Sequence, residues 1–143
     1  MIKYVSGNIF DAPVQTIVNP VNCKGIMGAG LAKQFKERYP DMFQVYWKAC
    51  SANLLKPGKL MLYKASDHWI INFPTKDDWR NTSEIRYIES GLQKFVQAYQ
   101  DRNITSIAFP PLGCGLGGLD FSLVKLLMEK YLSDLPIEVL VYV

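Results

Sequence analysis

Two glycine-rich loops, each between a β-like run and a helical pattern, constrain the fold of this chain more than any other feature. The first loop, Gly25–Gly30, follows the apolar run Thr16–Val21. The second loop, Gly113–Gly118, follows Ile104–Phe109 and precedes a helical pattern at about Phe121–Leu132. Strand–loop–helix units of this kind build parallel sheets. The two loops are therefore expected on one edge of a sheet, outside the carboxyl ends of its strands, where ligands bind.

The rest of the chain supplies further β-like runs and helices in the order β-β-α-α-β-β-α-β-α-β. The predicted strands are Ile2–Ser6, Thr16–Val21, Lys59–Ala65, His68–Phe73, Ile104–Phe109 and Ile137–Val143. The predicted helices are Leu31–Tyr39, a second that begins at Asp41, Glu84–Gln100 and Phe121–Leu132. This alternation predicts an α/β protein with helices on both faces of a mixed sheet of about six strands. With no linker, repeat or low-complexity segment, we expect residues 1–143 to form a single domain.

The sequence also predicts the cap and the buried face of the second helix. Pro40 is expected to end the first helix, and Asp41 is expected to cap the second. Its apolar positions predict a buried face made of Phe43, Tyr46, Trp47 and Cys50.

Composition excludes several classes of protein. With 49% hydrophobic and 20% charged residues, the 143-residue chain is neither disordered, collagenous nor a coiled coil. A formal net charge of +3 favours an anionic ligand without establishing nucleic-acid binding. Three cysteines without a CxxC or Cys/His spacing argue against a disulfide scaffold and a structural zinc site. Without a signal peptide or an apolar run of ~18 residues, we expect a cytoplasmic protein that does not associate with a membrane.

Glycine loops that open onto helix N-termini suit phosphate groups, because the backbone N–H groups there point at anions. Two such loops indicate a ligand with two phosphates, or with a phosphate and a sugar. The spacing Gly113-x-Gly115-x-x-Gly118 formally matches the dinucleotide-binding fingerprint. Too few residues follow Gly118 for the second half of a Rossmann fold, so a classical NAD-dependent dehydrogenase is excluded.

Several polar or aromatic residues near the loops each have a structural and a functional interpretation. Of Asn19 and Asn22, one is expected to brace the first loop and the other to meet a ribose. Lys76, judged by spacing alone, is a solvated charge, although a lysine in a desolvated site beside a sugar acts as a base or forms a Schiff base. Trp79 is expected to pack over its loop, with stacking on a base as the alternative.

The nucleophile and acid candidates have weaker support. Cys114 lies in the second loop, where a reactive thiol is one alternative. The only histidine, His68, begins a strand elsewhere and is expected at the surface, so a Cys–His pair has little support. Asp120 is expected to cap a helix rather than to act as an acid.

Four segments together resemble the macrodomain family, which binds ADP-ribose. They are Tyr4–Ile9, Ile17–Asn22, Gly25–Ala32 and Pro110–Asp120, in family order and at family spacing, so the likeness covers the whole chain. The resemblance implies a three-layer α/β/α macrodomain sandwich. It also implies that no metal and no redox cofactor is needed.

Within that family, the run Asn72–Lys76 followed by Trp79-Arg80 is similar to the branch that contains the DarG antitoxins. Members of that branch remove ADP-ribose from thymidine in DNA, and the lysine at the position of Lys76 is their catalytic residue. Glutamate-directed relatives carry an aspartate where this chain has Gly117, which favours the DNA-directed branch or a plain binder. The family usually has aspartate where this chain has Asn8, so weaker selection for adenine is expected.

The resemblance implies the following site. Lys76 is catalytic, Asn8 and Ile9 meet the adenine, and Asn22 binds the distal ribose, while the two loops wrap the diphosphate. The complete set of expected ligand-binding residues is Asn8, Ile9, Asn19, Asn22, Gly25, Met27, Gly28, Gly30, Leu31, Thr75, Pro111, Gly113, Cys114, Gly115, Leu116, Gly117 and Gly118.

The implied function is that of an ADP-ribosyl glycohydrolase, a hydrolase acting through Lys76 on a modified macromolecule, with thymidine-linked ADP-ribose on DNA first. The alternatives are a phosphatase of ADP-ribose 1″-phosphate and a non-catalytic reader of ADP-ribose. Expected partners are ADP-ribose, ADP-ribosylated DNA or protein and an ADP-ribosyltransferase toxin, and the protein is expected to be a monomer.

Overall fold

A computed structural model describes residues 2–143, and its helices and strands follow the predicted order. The strands are β1 (Ile2–Val5), β2 (Thr16–Val21), β3 (Met61–Lys64), β4 (Trp69–Pro74), β5 (Ser106–Phe109) and β6 (Glu138–Tyr142). The helices are α1 (Gly30–Arg38), α2 (Pro40–Ser51), α3 (Ile85–Ala98) and α4 (Phe121–Leu132), with a single 3₁₀ turn at Ile9–Asp11. No predicted boundary differs from the observed one by more than two residues, and those of β2 and α4 are identical.

The strands form one mixed sheet in the order β1-β6-β5-β2-β4-β3. All neighbours are parallel except β3, which pairs with β4 in the antiparallel sense. The loops that follow β1, β2, β4 and β5 consequently leave the same edge of the sheet. The predicted mixed six-stranded sheet is confirmed.

Helices cover both faces of this sheet. On one face α3 and α4 pack with inward residues such as Val18 of β2, and on the other α1 and α2 pack with Ile17. Because both faces are covered, β2 is an almost continuous apolar run, as expected of a buried parallel strand. The predicted three-layer architecture is confirmed. Among residues 2–143, none of the helices is long and apolar enough to cross a membrane.

The prediction for α2 is wrong in two respects. Pro40 occupies the first turn of α2 and Tyr39 precedes it as the cap without a side-chain hydrogen bond, so Asp41 is not the cap. Proline suits that position because its missing N–H has no partner there in any helix. The buried residues are Met42, Tyr46 and Cys50, one turn apart, whereas Trp47 lies beside this stripe and is about half exposed.

The prediction made for His68 is wrong, whereas the prediction made for Asp120 is confirmed. The expectation that His68 lies at the surface is wrong, because its ring is buried and its Nε2 lies 2.9 Å from the carbonyl oxygen of Ala12. The expectation for Asp120 is confirmed, since its Oδ1 accepts a hydrogen bond from the backbone N–H of Ser122 (2.9 Å) at the start of α4. A buried, hydrogen-bonded imidazole removed from the glycine loops is a packing feature.

Candidate active site

A cavity of about 610 Å³ opens at the carboxyl edge of the sheet, between the loops that follow β2, β4 and β5. Its volume lies in the range of small-molecule and cofactor sites. The residues that line it are Pro20, Val21, Asn22, Ile26, Gly28, Ala29, Gly30, Leu31, Ala32, Thr75, Lys76, Trp79, Ser83, Pro110, Pro111, Gly113, Cys114, Gly115, Leu116 and Gly117. Among the described residues of this wall, Lys76 is the only charged side chain. The cavity therefore suits an anionic ligand.

Asn22 shapes the first glycine loop. Its Oδ1 accepts from the N–H of Lys24 (2.9 Å), and its Nδ2 donates to the carbonyl of Ile26 (2.7 Å). The hydroxyl of Tyr46, on α2, donates to the backbone carbonyl of Asn22 (2.8 Å). One N–H of the Asn22 amide has its partner within the loop, which leaves the second for a ligand. The first loop is thus fixed from below by α2 and by the asparagine itself.

The second glycine loop is closed so tightly that three of its positions require glycine. Gly113 has φ +70° and Gly118 has φ +81°, which L side chains rarely adopt. A Cβ at Gly117 would overlap with the carbonyl oxygen of Gly113 and the hydroxyl of Ser83. The carbonyl of Gly117 accepts from the N–H of Ser83 (3.0 Å), which ties the loop to the residues before α3. The aspartate that glutamate-directed relatives carry here has no room in this chain.

Lys76 lies where the three loops meet. The N–H of Thr75 donates to the carbonyl of Val21 (2.9 Å), and the N–H of Cys23 donates to the carbonyl of Asp77 (3.0 Å), so the loops after β2 and β4 stay joined beyond the strands. The Lys76 ammonium reaches across to the second loop and donates to the carbonyl of Leu116 (3.4 Å). Its charge is therefore held in the wall of the cavity.

Most of the expected site residues come together in this wall. They are Asn22, Gly28, Gly30, Leu31, Thr75, Lys76, Pro111, Gly113, Cys114, Gly115, Leu116 and Gly117. The expected residues that lie outside the wall are Asn8, Ile9, Asn19, Gly25, Met27 and Gly118.

Asn19 is a structural residue. Its side chain is fully buried, and its Nδ2 donates to Oδ1 of Asn72 (3.0 Å) on the neighbouring strand and contacts Sδ of Met27 (3.7 Å). Met27 is itself buried below the first loop. The expectation that one of the two asparagines has a structural role is confirmed for Asn19. Neither Asn19 nor Met27 lines the cavity, so a direct ligand contact by either of them stays a prediction.

The remaining outliers surround the cavity. Asn8 is exposed and accepts from the N–H of Phe10 (3.0 Å), whereas Ile9 is buried. Both follow β1 and so lie at the same edge of the sheet, outside the cavity wall. Gly25 packs against α2, where an added Cβ would lie 3.1 Å from Cδ1 of Trp47. Gly118 follows the last wall residue of the second loop.

Ser83 and Trp79 line the cavity although neither was among the expected ligand-binding residues. Ser83 is buried, and its hydroxyl has no hydrogen-bond partner among residues 2–143. No local pattern singles it out, because it reaches the cavity only through its contact with Gly117. The sequence did offer a reason to single out Trp79, because it is an aromatic residue three positions after Lys76.

Two titratable groups near the cavity are poor nucleophile or acid candidates. Burial, and secondarily the charge of Asp120, raises the pKa of the Cys114 thiol, which donates to the carbonyl of Leu112 (3.5 Å). The neutral thiol is not an effective nucleophile. Hydrogen bonds from Arg80 hold the pKa of Asp78 well below its usual range, so Asp78 is an ionised partner of Arg80 rather than a proton donor.

The sequence of this chain is similar to a family model and to curated proteins. A family model described as the Macro domain matches residues 18–128. A curated relative from Thermus aquaticus, named DNA ADP-ribosyl glycohydrolase, is 43% identical over 99% of the chain. A relative from Thermosipho africanus, named DNA ADP-ribosyl transferase-DNA ADP-ribosyl glycohydrolase fusion protein, is 40% identical over 99% of the chain. The chain covers 41% of each relative's length.

The fold of this chain also superimposes on solved structures. The macrodomain of Mycobacterium tuberculosis DarG superimposes with a TM-score of 0.96 at 41% identity, covering 99% of this chain and 97% of that chain. Thermosipho africanus DarTG in complex with ADP-ribose superimposes with a TM-score of 0.93 at 43% identity, covering 99% of this chain and 41% of that chain. At these identities the similarity extends to sequence as well as to fold.

Proposed function

The chain belongs to the Macro domain family, and on that premise we propose that it is a hydrolase that removes ADP-ribose from thymidine in DNA. Two relatives that are 43% identical to it, over 99% and 95% of this chain, are named DNA ADP-ribosyl glycohydrolase. One related structure holds ADP-ribose. The proposal extends the activity in those names to this chain, which spans about two fifths of the length of those relatives.

The observation that carries the proposal is the position of the Lys76 ammonium. It is the only charged group among the described residues of the cavity wall, whose other polar side chains, such as Asn22, Thr75 and Ser83, are neutral, and it donates to the second glycine loop at Leu116. A reader of ADP-ribose needs the glycine loops but no cation at the junction of three loops. An enzyme needs a group beside the sugar carbon that reacts.

In the proposed complex, backbone N–H groups of the two glycine loops bind the diphosphate. The free N–H of the Asn22 amide donates to a hydroxyl of the distal ribose. The C1″ carbon of that ribose then faces Lys76. Hydrolysis breaks the bond between C1″ and the ring nitrogen of thymine, water supplies the hydroxyl to C1″, and the base leaves with a proton.

Lys76 has two chemical routes in this reaction. In one, its neutral amine attacks C1″ after the ribose ring opens, the base leaves, and water hydrolyses the resulting Schiff base. In the other, its ammonium stabilises the charge that develops as the bond breaks. Cyanoborohydride separates the routes, because it reduces a Schiff base to a stable adduct whose mass is found on the Lys76 peptide.

The proposed reaction implies an opposing enzyme. Hydrolysis of ADP-ribosyl-thymidine has a purpose only where a transferase makes it, and one relative is named as a fusion of such a transferase with a glycohydrolase. We therefore include a DNA ADP-ribosyltransferase among the proposed partners, with the chain acting in the cytoplasm as a monomer.

Mass spectrometry of a single-stranded oligonucleotide that carries ADP-ribosyl-thymidine tests the function. We expect the wild-type protein to restore the unmodified oligonucleotide. Lys76→Ala should lower kcat by about 10²- to 10³-fold, the usual effect of removing a transition-state charge. Its Kd for ADP-ribose should remain within about threefold, because the glycine loops carry that affinity.

Two further variants define the role of Lys76. Lys76→Arg keeps the charge without a nucleophilic amine, so it retains activity only in the charge-stabilising route. Lys59→Ala removes an exposed lysine before β3 and serves as the matched control. No turnover by a wild-type protein that binds ADP-ribose would overturn the glycohydrolase proposal. Release of phosphate from ADP-ribose 1″-phosphate would then identify a phosphatase, and binding alone a reader.

A further inference from the structure

Trp79 stands at the mouth of the cavity with much of its indole uncovered. The side chain lines the cavity and is 51% exposed, and it follows Lys76 by three residues in the loop after β4. A large aromatic side chain that is half exposed beside a polar site is a common feature of ligand contacts, because the uncovered ring face is apolar and flat. The packing that was expected for Trp79 therefore covers only about half of it.

A short hydrogen-bonded turn presents this indole. The N–H of Arg80 donates to Oδ1 of Asp78 (2.9 Å), and the N–H of Asn81 donates to the Asp78 carbonyl (3.1 Å), so Trp79 occupies the corner of the turn. The guanidinium of Arg80 adds two hydrogen bonds to Asp78, at 3.0 and 2.7 Å, and lies 5.8 Å from the indole centroid. The turn is thus organised before any ligand arrives.

The rest of the mouth is apolar as well. Ile26 of the first glycine loop is 43% exposed and Leu116 of the second is 71% exposed, and both line the cavity. With Trp79 they place one exposed apolar side chain on each of the three loops that surround Lys76. A carboxylate acceptor offers these apolar side chains no flat ring to cover, whereas a planar base does.

We propose that the indole of Trp79 stacks on the thymine that carries the ADP-ribose, and so selects a nucleobase as the leaving group. This inference rests on the proposed function, because it assigns a residue to the acceptor side of the same reaction. In the proposed complex the base lies beyond C1″, where ADP-ribose itself ends, so only the modified strand places a ring on the indole. Trp79 therefore contributes to the binding of the modified strand and not to that of the product ADP-ribose.

The test measures binding in a background that does not turn over. Lys76→Ala and Lys76→Ala/Trp79→Ala are titrated by calorimetry with ADP-ribose, and separately with a single-stranded oligonucleotide that carries ADP-ribosyl-thymidine. We expect the second variant to bind the oligonucleotide about 5- to 150-fold more weakly, the range measured for base–aromatic stacking. Its affinity for ADP-ribose should not change. Lys76→Ala/Trp79→Phe should retain most of the difference in affinity between the oligonucleotide and ADP-ribose that Lys76→Ala shows.

Trp47 supplies a matched control, because it is also a half-exposed tryptophan (48%) but lies on α2 outside the cavity wall. Lys76→Ala/Trp47→Ala should leave the ratio of the two affinities unchanged. An equal loss for ADP-ribose and oligonucleotide in the Trp79→Ala variant would overturn the inference and make Trp79 a packing residue. An unchanged affinity for both ligands would overturn it equally.

The wild-type turnover assay keeps this inference separate from the proposed function. If wild type cleaves the oligonucleotide and Trp79→Ala binds it normally, the function stands and the stacking role fails. If wild type does not cleave it but Trp79→Ala weakens only the oligonucleotide, the hydrolase fails and the stacking surface stands.

Discussion

Gly115 and Gly117 lie two residues apart in the second glycine loop and differ completely in the space around them. Nothing lies within 4 Å of a Cβ at Gly115, whereas a Cβ at Gly117 would overlap with the Gly113 carbonyl and the Ser83 hydroxyl. We expect Gly117→Ala to lower the free energy of unfolding by about 1–3 kcal/mol, as overpacking does. The displaced loop should also weaken ADP-ribose binding. Urea unfolding and calorimetry measure both effects.

Gly115→Ala is the control for that substitution, since the new methyl group meets open space at a residue without a positive φ. Equal losses in the free energy of unfolding of the two variants would contradict the steric argument. They would show instead that the loop requires flexibility at every glycine.

The Cys114 thiol gives a prediction about pH. Because burial raises its pKa, its thiolate fraction at neutral pH is smaller than that of a free cysteine, and it increases only as pH rises through the shifted value. We expect iodoacetamide to modify Cys114 slowly at pH 7 and progressively faster above pH 9, as followed by peptide mass spectrometry. Burial raises the pKa of Cys23 to about 12, so Cys23 should react later still. A Cys114 rate that levels off below pH 8 would show a lowered pKa instead.

At the scale of whole elements, α2 supports the first glycine loop through one hydroxyl. Tyr46 is fully buried and its OH donates to the carbonyl of Asn22 (2.8 Å). Tyr46→Phe leaves that oxygen without its partner, so we expect a loss of about 1–3 kcal/mol in the free energy of unfolding. ADP-ribose binding should weaken as well, because Asn22 organises the loop.

Tyr39→Phe is the control for α2. It removes a single exposed hydrogen bond, from the Tyr39 hydroxyl to Asp67 (2.9 Å), at the end of α1 and away from the cavity wall. We expect this variant to retain its affinity for ADP-ribose. A loss of affinity as large as that of Tyr46→Phe would mean that general destabilisation, rather than loss of loop support, explains both.

For the molecule as a whole, the net charge of +3 is modest, and binding of a DNA strand depends on where the cations lie. Lys24 lies two residues after Asn22 and acts electrostatically on Asp78, which lies two residues after Lys76. For single strands, each phosphate neutralised contributes about −0.7 to the slope of log K against log salt concentration. The slope for the modified oligonucleotide should therefore be steeper than that for ADP-ribose, and Lys24→Ala should reduce its magnitude by about 0.7.

Lys130→Ala provides the comparison for this salt series, since Lys130 lies near the end of α4 and pairs with Glu89 (3.7 Å). It should leave the slope unchanged. Equal slopes for ADP-ribose and oligonucleotide would indicate that the strand outside the cavity makes no ionic contact.

The order of helices and strands, the mixed sheet and the two ligand loops were predictable because they follow from local patterns. Apolar runs, helical spacing and glycine clusters each involve residues that lie only a few positions apart in the chain. The exact face of α2 was not predictable, because Met42 and Trp47 are both apolar and only contact with the rest of the core decides which one is buried.

The sequence by itself determined the alternation of strands and helices, the glycines that the loops require, and the lysine that follows β4. These depend on backbone sterics and on the period of apolar residues. Tertiary structure decided which of the expected residues reach the cavity. Asn19 points into a buried amide pair, Ser83 arrives through its bond to Gly117, and Trp79 is presented by a turn. Such placements depend on contacts between residues far apart in the chain, which no local pattern encodes.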